Sequence, residues 1–101
     1  MGMARLKIDG VIESVRYGAG GKISLVRSYQ RRGAVWSDYI LLSRPELVEQ
    51  LKNGKRFVIG VRKKDLGSVF ETGAPVRFVD DHIFTDGQST AREFLAGVPV
   101  F

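Results

Sequence analysis

Residues 4–17 read Ala-Arg-Leu-Lys-Ile-Asp-Gly-Val-Ile-Glu-Ser-Val-Arg-Tyr, and this stretch decides how the rest of the chain is interpreted. Its apolar residues alternate with polar ones, as in a strand with one buried face, and the alternation changes phase at Gly10. A strand glycine at a phase change is typical of a bulge or sharp bend, which lets one long strand pass from one sheet into another. The stretch therefore predicts a long, coiled first strand.

Further strands and a helix follow from turn signals and periodicity. A glycine turn at residues 18–21 leads into a second strand over residues 22–30, and Arg31-Arg32-Gly33 separates it from a third over residues 34–42. Ser43 and Glu46 stand at capping-box spacing with a proline between them, which predicts a short helix that ends at Asn53-Gly54. Residues 55–62 and 75–79 have the composition of a fourth and a fifth strand, the latter extended by residues 83–84.

The C-terminal part of the chain is interpreted separately. Thr90 and Glu93 repeat the capping pattern and predict a short C-terminal helix through Leu95, followed by an apolar tail. We expect one mainly-β domain over residues 1–101, with the barrel at about 4–87 and the helix and tail at 88–101. A chain of 101 residues is too short for two ordinary cores.

Composition excludes several classes of protein. The chain contains no cysteine, which rules out disulfides, zinc-thiolate sites and iron–sulfur clusters. No apolar run reaches the length of a membrane helix, so no membrane association is expected and the cytoplasm is the predicted location. Neither a metal nor a cofactor is expected.

Positive charge is unevenly distributed along the chain. The net charge is +5, and residues 5–32 hold seven Lys and Arg against two acids, whereas residues 52–64 hold six against none. If these two basic blocks meet in the fold, they form a cationic face of the kind that attracts polyanions.

The order strand, strand, strand, helix, strand, strand resembles the OB-fold. Two segments carry the resemblance: residues 8–15 with the glycine turn that follows, and residues 51–60 at the junction of helix and fourth strand. The resemblance implies a five-stranded barrel with a short helix between strands 3 and 4. It also implies a binding surface on strands 2 and 3, flanked by the loops between strands 1 and 2 and between strands 4 and 5. On this chain that surface comprises Arg16, Tyr17, Lys22, Arg27, Tyr29, Arg31, Arg32, Trp36, Tyr39, Arg62, Lys63 and Lys64.

These residue types suit single-stranded DNA or RNA, because cations follow the phosphates and aromatic rings stack on bases. Such binding is salt-sensitive and shows little sequence preference. The alternative for Tyr29, Trp36 and Tyr39 is that they belong to the core or rim of the barrel. For the arginine and lysine clusters it is ordinary solvated charge at strand ends.

Other functions have weaker signals. Residues 18–22 are rich in glycine and end in lysine, but their spacing does not match a nucleotide-binding loop. Asp80, Asp81, His82 and Asp86 form the one cluster that suggests a metal or acid-base chemistry, and a surface turn is the simpler interpretation. His82 is the only histidine, so we expect no enzyme. The rival class is an assembly module or homo-oligomer that uses the apolar tail, whose alternative is packing within the chain. Its residues are Phe94, Leu95, Val98, Val100 and Phe101.

Overall fold

The computed structural model describes residues 8–32, 35–62, 70–79, 81–85, 95 and 98–101. Within these ranges the chain forms seven strands and one α-helix, with a short 3-10 turn at Ala19–Gly21. The elements are β1 (Gly10–Tyr17), β2 (Ile23–Arg32), β3 (Val35–Trp36), β4 (Ile40–Ser43), α1 (Arg44–Lys52), β5 (Phe57–Arg62), β6 (Phe70–Val79) and β7 (His82–Thr85).

The strands form one curled, half-barrel sheet in the order β3-β2-β1-β5-β6-β7, with β4 also paired to β2. β1 and β5 run parallel over three residue pairs, and the other strand pairs are antiparallel. The inner side of the sheet encloses a core that includes Ile12, Val26 and Phe57, with Leu47 of α1 packed into it. The prediction of a mainly-β fold with a short helix is therefore confirmed in the described residues.

The predicted count of five strands is wrong for two reasons. The first is a break in the expected third strand, which hydrogen bonding explains. The expected third strand is broken into β3 and β4 at Ser37, whose hydroxyl accepts the Gln30 N–H at 3.1 Å and donates to the Asp38 carbonyl at 2.7 Å. A side chain that satisfies backbone groups in this way competes with the strand ladder.

The second difference lies at the end of the sheet. The strand predicted over residues 75–79 is β6, which begins at Phe70. Residues 83–84 belong to β7 and do not extend β6. Asp81 adopts a left-handed conformation, with φ of 64°, and this reverses the chain so that β7 pairs antiparallel with β6. Aspartate is among the few residues that tolerate this conformation.

Gly10 is essential for a reason other than the predicted bulge. The register of β1 against β2 shifts at Glu13 and again between Arg16 and Tyr17, not at Gly10. A Cβ atom at Gly10 would lie 2.4 Å from the ring of Phe57. Gly10 therefore lets the β1 backbone approach a buried aromatic ring on the parallel strand.

The predicted capping box of α1 is confirmed. The Ser43 hydroxyl accepts the Glu46 N–H at 3.4 Å, and the Glu46 carboxylate accepts the Ser43 N–H at 2.9 Å. The Glu46 carboxylate also accepts the Ser43 hydroxyl at 3.0 Å, and its two hydrogen bonds from Ser43 favour the ionised form and lower the pKa of Glu46.

The final residues of the chain lie beside β1. The Val15 N–H donates to the Pro99 carbonyl, and the Phe101 N–H donates to the Val15 carbonyl, both at 2.9 Å. Leu95 is buried and Val98 packs against the core. Apart from Leu95, the C-terminal helix predicted over residues 90–95 lies outside the described residues.

Candidate nucleic-acid interface

Four aromatic rings gather on the side of β2 that faces away from Val26 and Ser28. Tyr29 is the centre of the group: its ring centroid lies 6.4 Å from that of Tyr39 in an edge-to-face arrangement and 5.1 Å from that of Phe70. Trp36 packs on Phe70 at 4.8 Å. Alternation along β2 explains the placement, since Arg27 and Tyr29 project to one face while Val26 and Ser28 are buried on the other.

Three arginines lie against aromatic rings on the same side. The guanidinium carbon of Arg62 is 5.6 Å from the Tyr29 ring centroid, and that of Arg27 is 5.0 Å from Tyr39. Both Arg16 and Arg27 also pack on Phe101, at 4.8 and 4.7 Å. These distances fall within the range of cation–π attraction. We call this set of eight residues the arginine–aromatic face: Arg16, Arg27, Tyr29, Trp36, Tyr39, Arg62, Phe70 and Phe101.

The two basic blocks of the sequence thus meet, but only in part. Arg62 of the second block reaches Tyr29 among the residues of the first. Lys55 and Arg56 lie at the opposite end of β5, where they line a separate groove with Lys52. Among the described residues, the two blocks therefore meet at Arg62, while Lys55 and Arg56 lie elsewhere. One strand carries its two ends to different parts of the surface.

Arg27 is the most enclosed cation of the arginine–aromatic face. Its Nε atom is buried and has no hydrogen-bond partner among the described residues. A buried N–H of a charged group without an acceptor is costly. The flanking rings of Tyr39 and Phe101 hold the guanidinium in place.

The aromatic residues of the face differ in how much surface they offer. Tyr29 is 7% exposed, and its hydroxyl donates to the Glu13 carboxylate at 3.4 Å. Burial and the nearby Glu13 carboxylate raise the pKa of Tyr29, because both disfavour a phenolate. Tyr39 is 53% exposed and Trp36 is half-buried. Tyr29 therefore supports the face, while Tyr39 and Trp36 present ring surface to solvent.

Two of the predicted site residues have other contacts. The Tyr17 hydroxyl accepts the Leu95 N–H at 3.0 Å, and its ring packs against the core. The Lys22 ammonium pairs with Asp81 at 3.3 Å. Lys22 precedes β2 by one residue, roughly 23 Å along the strand from Tyr29. Neither residue belongs to the arginine–aromatic face.

The contacts of Asp81, the partner of Lys22, explain its lowered pKa. The Lys22 ammonium lowers the pKa of Asp81 through a hydrogen bond and charge attraction, and Arg44 adds to the effect. His82 is the first residue of β7. No group of three acidic or histidine side chains that could hold a metal occurs in the described part of the chain. Asp80 and Asp86 lie outside it.

The remaining predicted site residues are four cations: Arg31, Arg32, Lys63 and Lys64. Arg31 is exposed at the end of β2, in register with Trp36. The side chain of Arg32 and all of Lys63 and Lys64 lie outside the described residues. Phe70 and Phe101 were missed by sequence reasoning. Phe101 belonged to a tail assigned to assembly, and no local signal connects it to arginines more than 70 positions earlier.

The tail residues assigned to assembly have contacts within the chain. Leu95 is buried, Val98 packs on the core, and Phe101 packs on two arginines. Val100 is 66% exposed, and Phe94 lies outside the described residues. Homo-oligomerisation through this segment stays a prediction.

Comparison of the chain with protein-family models, curated proteins and solved structures gives no match. None of the helices in the described ranges combines the length and apolar character needed to cross a membrane. The chemistry of the surface itself is therefore the basis on which a function can be proposed.

Proposed function

We propose that the protein binds single-stranded DNA or RNA through the arginine–aromatic face, without catalysis and with little sequence preference. The observation that carries this proposal is the placement of three arginines on the rings of Tyr29, Tyr39 and Phe101 at one side of the sheet. A relation to the OB class is a further part of the proposal. The curled sheet differs from the expected five-stranded arrangement, because it has seven strands and a parallel β1–β5 pair. Binding at the face does not require that relation.

The chemistry of the face supports a stacked, extended polyanion. A guanidinium that lies on a ring keeps its charge and its in-plane N–H groups, and it loses less rotamer freedom when it binds a phosphate than a mobile side chain would. The exposed rings of Tyr39 and Trp36 offer flat surface next to these cations. Every base has a face that can stack on such rings, so discrimination between bases is expected to be weak.

Arg27 adds a more specific expectation. Its buried Nε–H lacks an acceptor among the described residues, and a phosphate oxygen that enters between the Tyr39 and Phe101 rings would supply one. Charge-assisted hydrogen bonds of this kind are about twice as strong as neutral ones. Arg27 is therefore expected to contribute most of the phosphate affinity of the face.

Fluorescence anisotropy with a labelled oligothymidylate tests the proposal. We expect binding at low salt that weakens steeply as salt rises, because phosphate contacts release counterions. Tyr39→Ala should weaken binding by about tenfold through lost stacking. Arg27→Gln should weaken it and lower the salt slope by about one.

Lys22→Gln is the matched control for Arg27→Gln, because it removes one positive charge from a side chain that is paired with Asp81 instead of an aromatic ring. Equal losses in the two variants would show that only net charge matters and would overturn the assignment of the face. Absence of binding at low salt would overturn the function altogether. A duplex of the same length should bind more weakly, since its bases are already stacked.

A further inference from the structure

A second basic region surrounds an open groove of about 510 Å³ between the end of α1, the start of β5 and the end of β6. Its floor is apolar and includes Leu51, Pro75 and Phe78. Its charged lining residues, among those the structure describes, are all cations: Lys52, Lys55, Arg56 and Arg77. The groove is of ordinary size for a small-molecule site, and such sites commonly combine an apolar lining with a few polar groups.

Backbone geometry brings the lysines and Arg56 to one rim. α1 ends at Lys52, and Gly54 adopts φ of 86°, a conformation that turns the chain sharply into β5. The Asp9 carboxylate accepts the Arg56 N–H at 2.9 Å, and the Asp9 N–H donates to the Arg56 carbonyl at 2.8 Å. These two hydrogen bonds fix the main chain of Arg56 beside the groove.

One aromatic contact links the rim to the floor. The Lys52 ammonium lies 5.8 Å from the centroid of the Phe78 ring, and Phe78 is half-buried against the core. A cation held over an apolar surface leaves room for an anion beside it. The floor would then cover the ligand's apolar part, and the burial of that part is favourable in proportion to its area.

We propose that this groove binds a small amphipathic anion, namely a carboxylate or phosphate attached to an apolar chain or ring. An anion complements the cations of the rim, Lys52, Lys55 and Arg56, which outnumber the Asp9 carboxylate bound to the Arg56 N–H. The apolar floor requires the hydrophobic part, which an inorganic anion lacks.

This site is independent of the proposed function. Arg56 precedes β5 and Arg62 ends it, a separation of roughly 20 Å along an extended strand. The two regions share no side chain. A ligand in the groove should therefore leave the arginine–aromatic face open to an oligonucleotide.

Octyl phosphate is a suitable probe, followed by amide chemical shifts of the isotopically labelled full chain. We expect saturable shifts concentrated at residues 52–58 and 75–79, with little change at residues 27–31. Octanoate should compete, whereas octanol and inorganic phosphate should each bind at least about tenfold more weakly, because each lacks one of the two interactions. Equal binding of octanol or of inorganic phosphate would overturn the proposal.

Charge reversal supplies a second test. Arg56→Glu should weaken octyl phosphate binding by about tenfold, with Arg31→Glu on β2, which makes the same change in charge, as the matched control. Thermal unfolding of both variants separates lost binding from lost structure. Saturating octyl phosphate should leave oligothymidylate affinity unchanged. Displacement of the oligonucleotide would assign the groove to the nucleic-acid path and overturn the proposal, whereas failure of oligonucleotide binding alone would leave it standing.

Discussion

The arginine–aromatic face and the groove between α1, β5 and β6 both carry clustered cations, but these cations have different surroundings. On the face, Arg16, Arg27 and Arg62 each pack on an aromatic ring, and planar guanidinium groups suit such stacking. In the groove, Lys52 and Lys55 belong to the rim of an apolar floor, where the Lys52 ammonium lies 5.8 Å from the Phe78 ring centroid and acts as a compact point charge. The contrast teaches that a basic block in a sequence does not define a surface. The pairing of strands decides where each charge is used.

β5 is the element that divides the two regions. Phe57 at its start lines the groove and belongs to the core, and Arg62 at its end lies over Tyr29. Changes near the start of β5 should therefore affect the groove first, and changes near its end should affect the face first. This division makes the comparison open to experiment.

The largest effect is expected from Phe57, on which both regions depend. Phe57→Ala removes a ring that is 1% exposed and should lower the free energy of unfolding by about 3–5 kcal/mol, measured by urea denaturation. Gly10→Ala should cost about 1–3 kcal/mol, since the new Cβ would lie 2.4 Å from that ring.

The double variant provides the control for this pair. With the ring removed, the added methyl group at position 10 meets no clash, so the two losses should not add. Additive losses would show that Gly10 is needed for some property other than its approach to Phe57.

A smaller effect, confined to one region, is expected at Gly60. A Cβ there would lie 2.6 Å from the Glu71 carbonyl oxygen, and a backbone atom cannot move aside without shifting β6. Gly60→Ala should cost about 1–3 kcal/mol and disturb the nearby Arg62 and Phe70. Oligonucleotide affinity should fall, while octyl phosphate binding at the other end of β5 should change little.

Gly18→Ala is the matched control for Gly60→Ala, because its Cβ would meet Ser24 at 3.4 Å, an ordinary contact. It should leave both ligand affinities near their original values. Loss of octyl phosphate binding in Gly60→Ala, together with intact oligonucleotide binding, would reverse the division of β5 that the comparison rests on.

Local features of the fold were predictable from sequence, and distant contacts were not. The capping box of Ser43 and Glu46 is a signal within four residues, and it folds as expected. The role of Gly10 depends on Phe57, a residue 47 positions later that approaches only because β1 and β5 pair in parallel. The site shows the same pattern. Arg27 was identified from its strand, but the contact with Phe101 arises from a tail that returns to β1.

The smallest effect is expected at Lys22, a predicted site residue that the structure separates from the face. Its ammonium lowers the pKa of Asp81, so the pair stabilises the fold above the ordinary aspartate pKa of about 3.9. This contribution is lost as the pH falls through the lowered pKa of the folded state. Lys22→Gln should move the pKa of Asp81 back towards its ordinary value, as measured by NMR titration of the side-chain carboxyl group. The variant should also lose less stability than the parent chain on acidification.

Lys22→Arg retains the charge and should keep the pKa of Asp81 low. An unchanged Asp81 pKa in Lys22→Gln would assign the shift to Arg44, whose guanidinium lies 4.0 Å from the same carboxylate. Whatever the result for Asp81, Lys22→Gln should weaken oligonucleotide binding less than Arg27→Gln does. The reason is that the Lys22 ammonium is already paired with Asp81 at the end of the sheet where β7 begins.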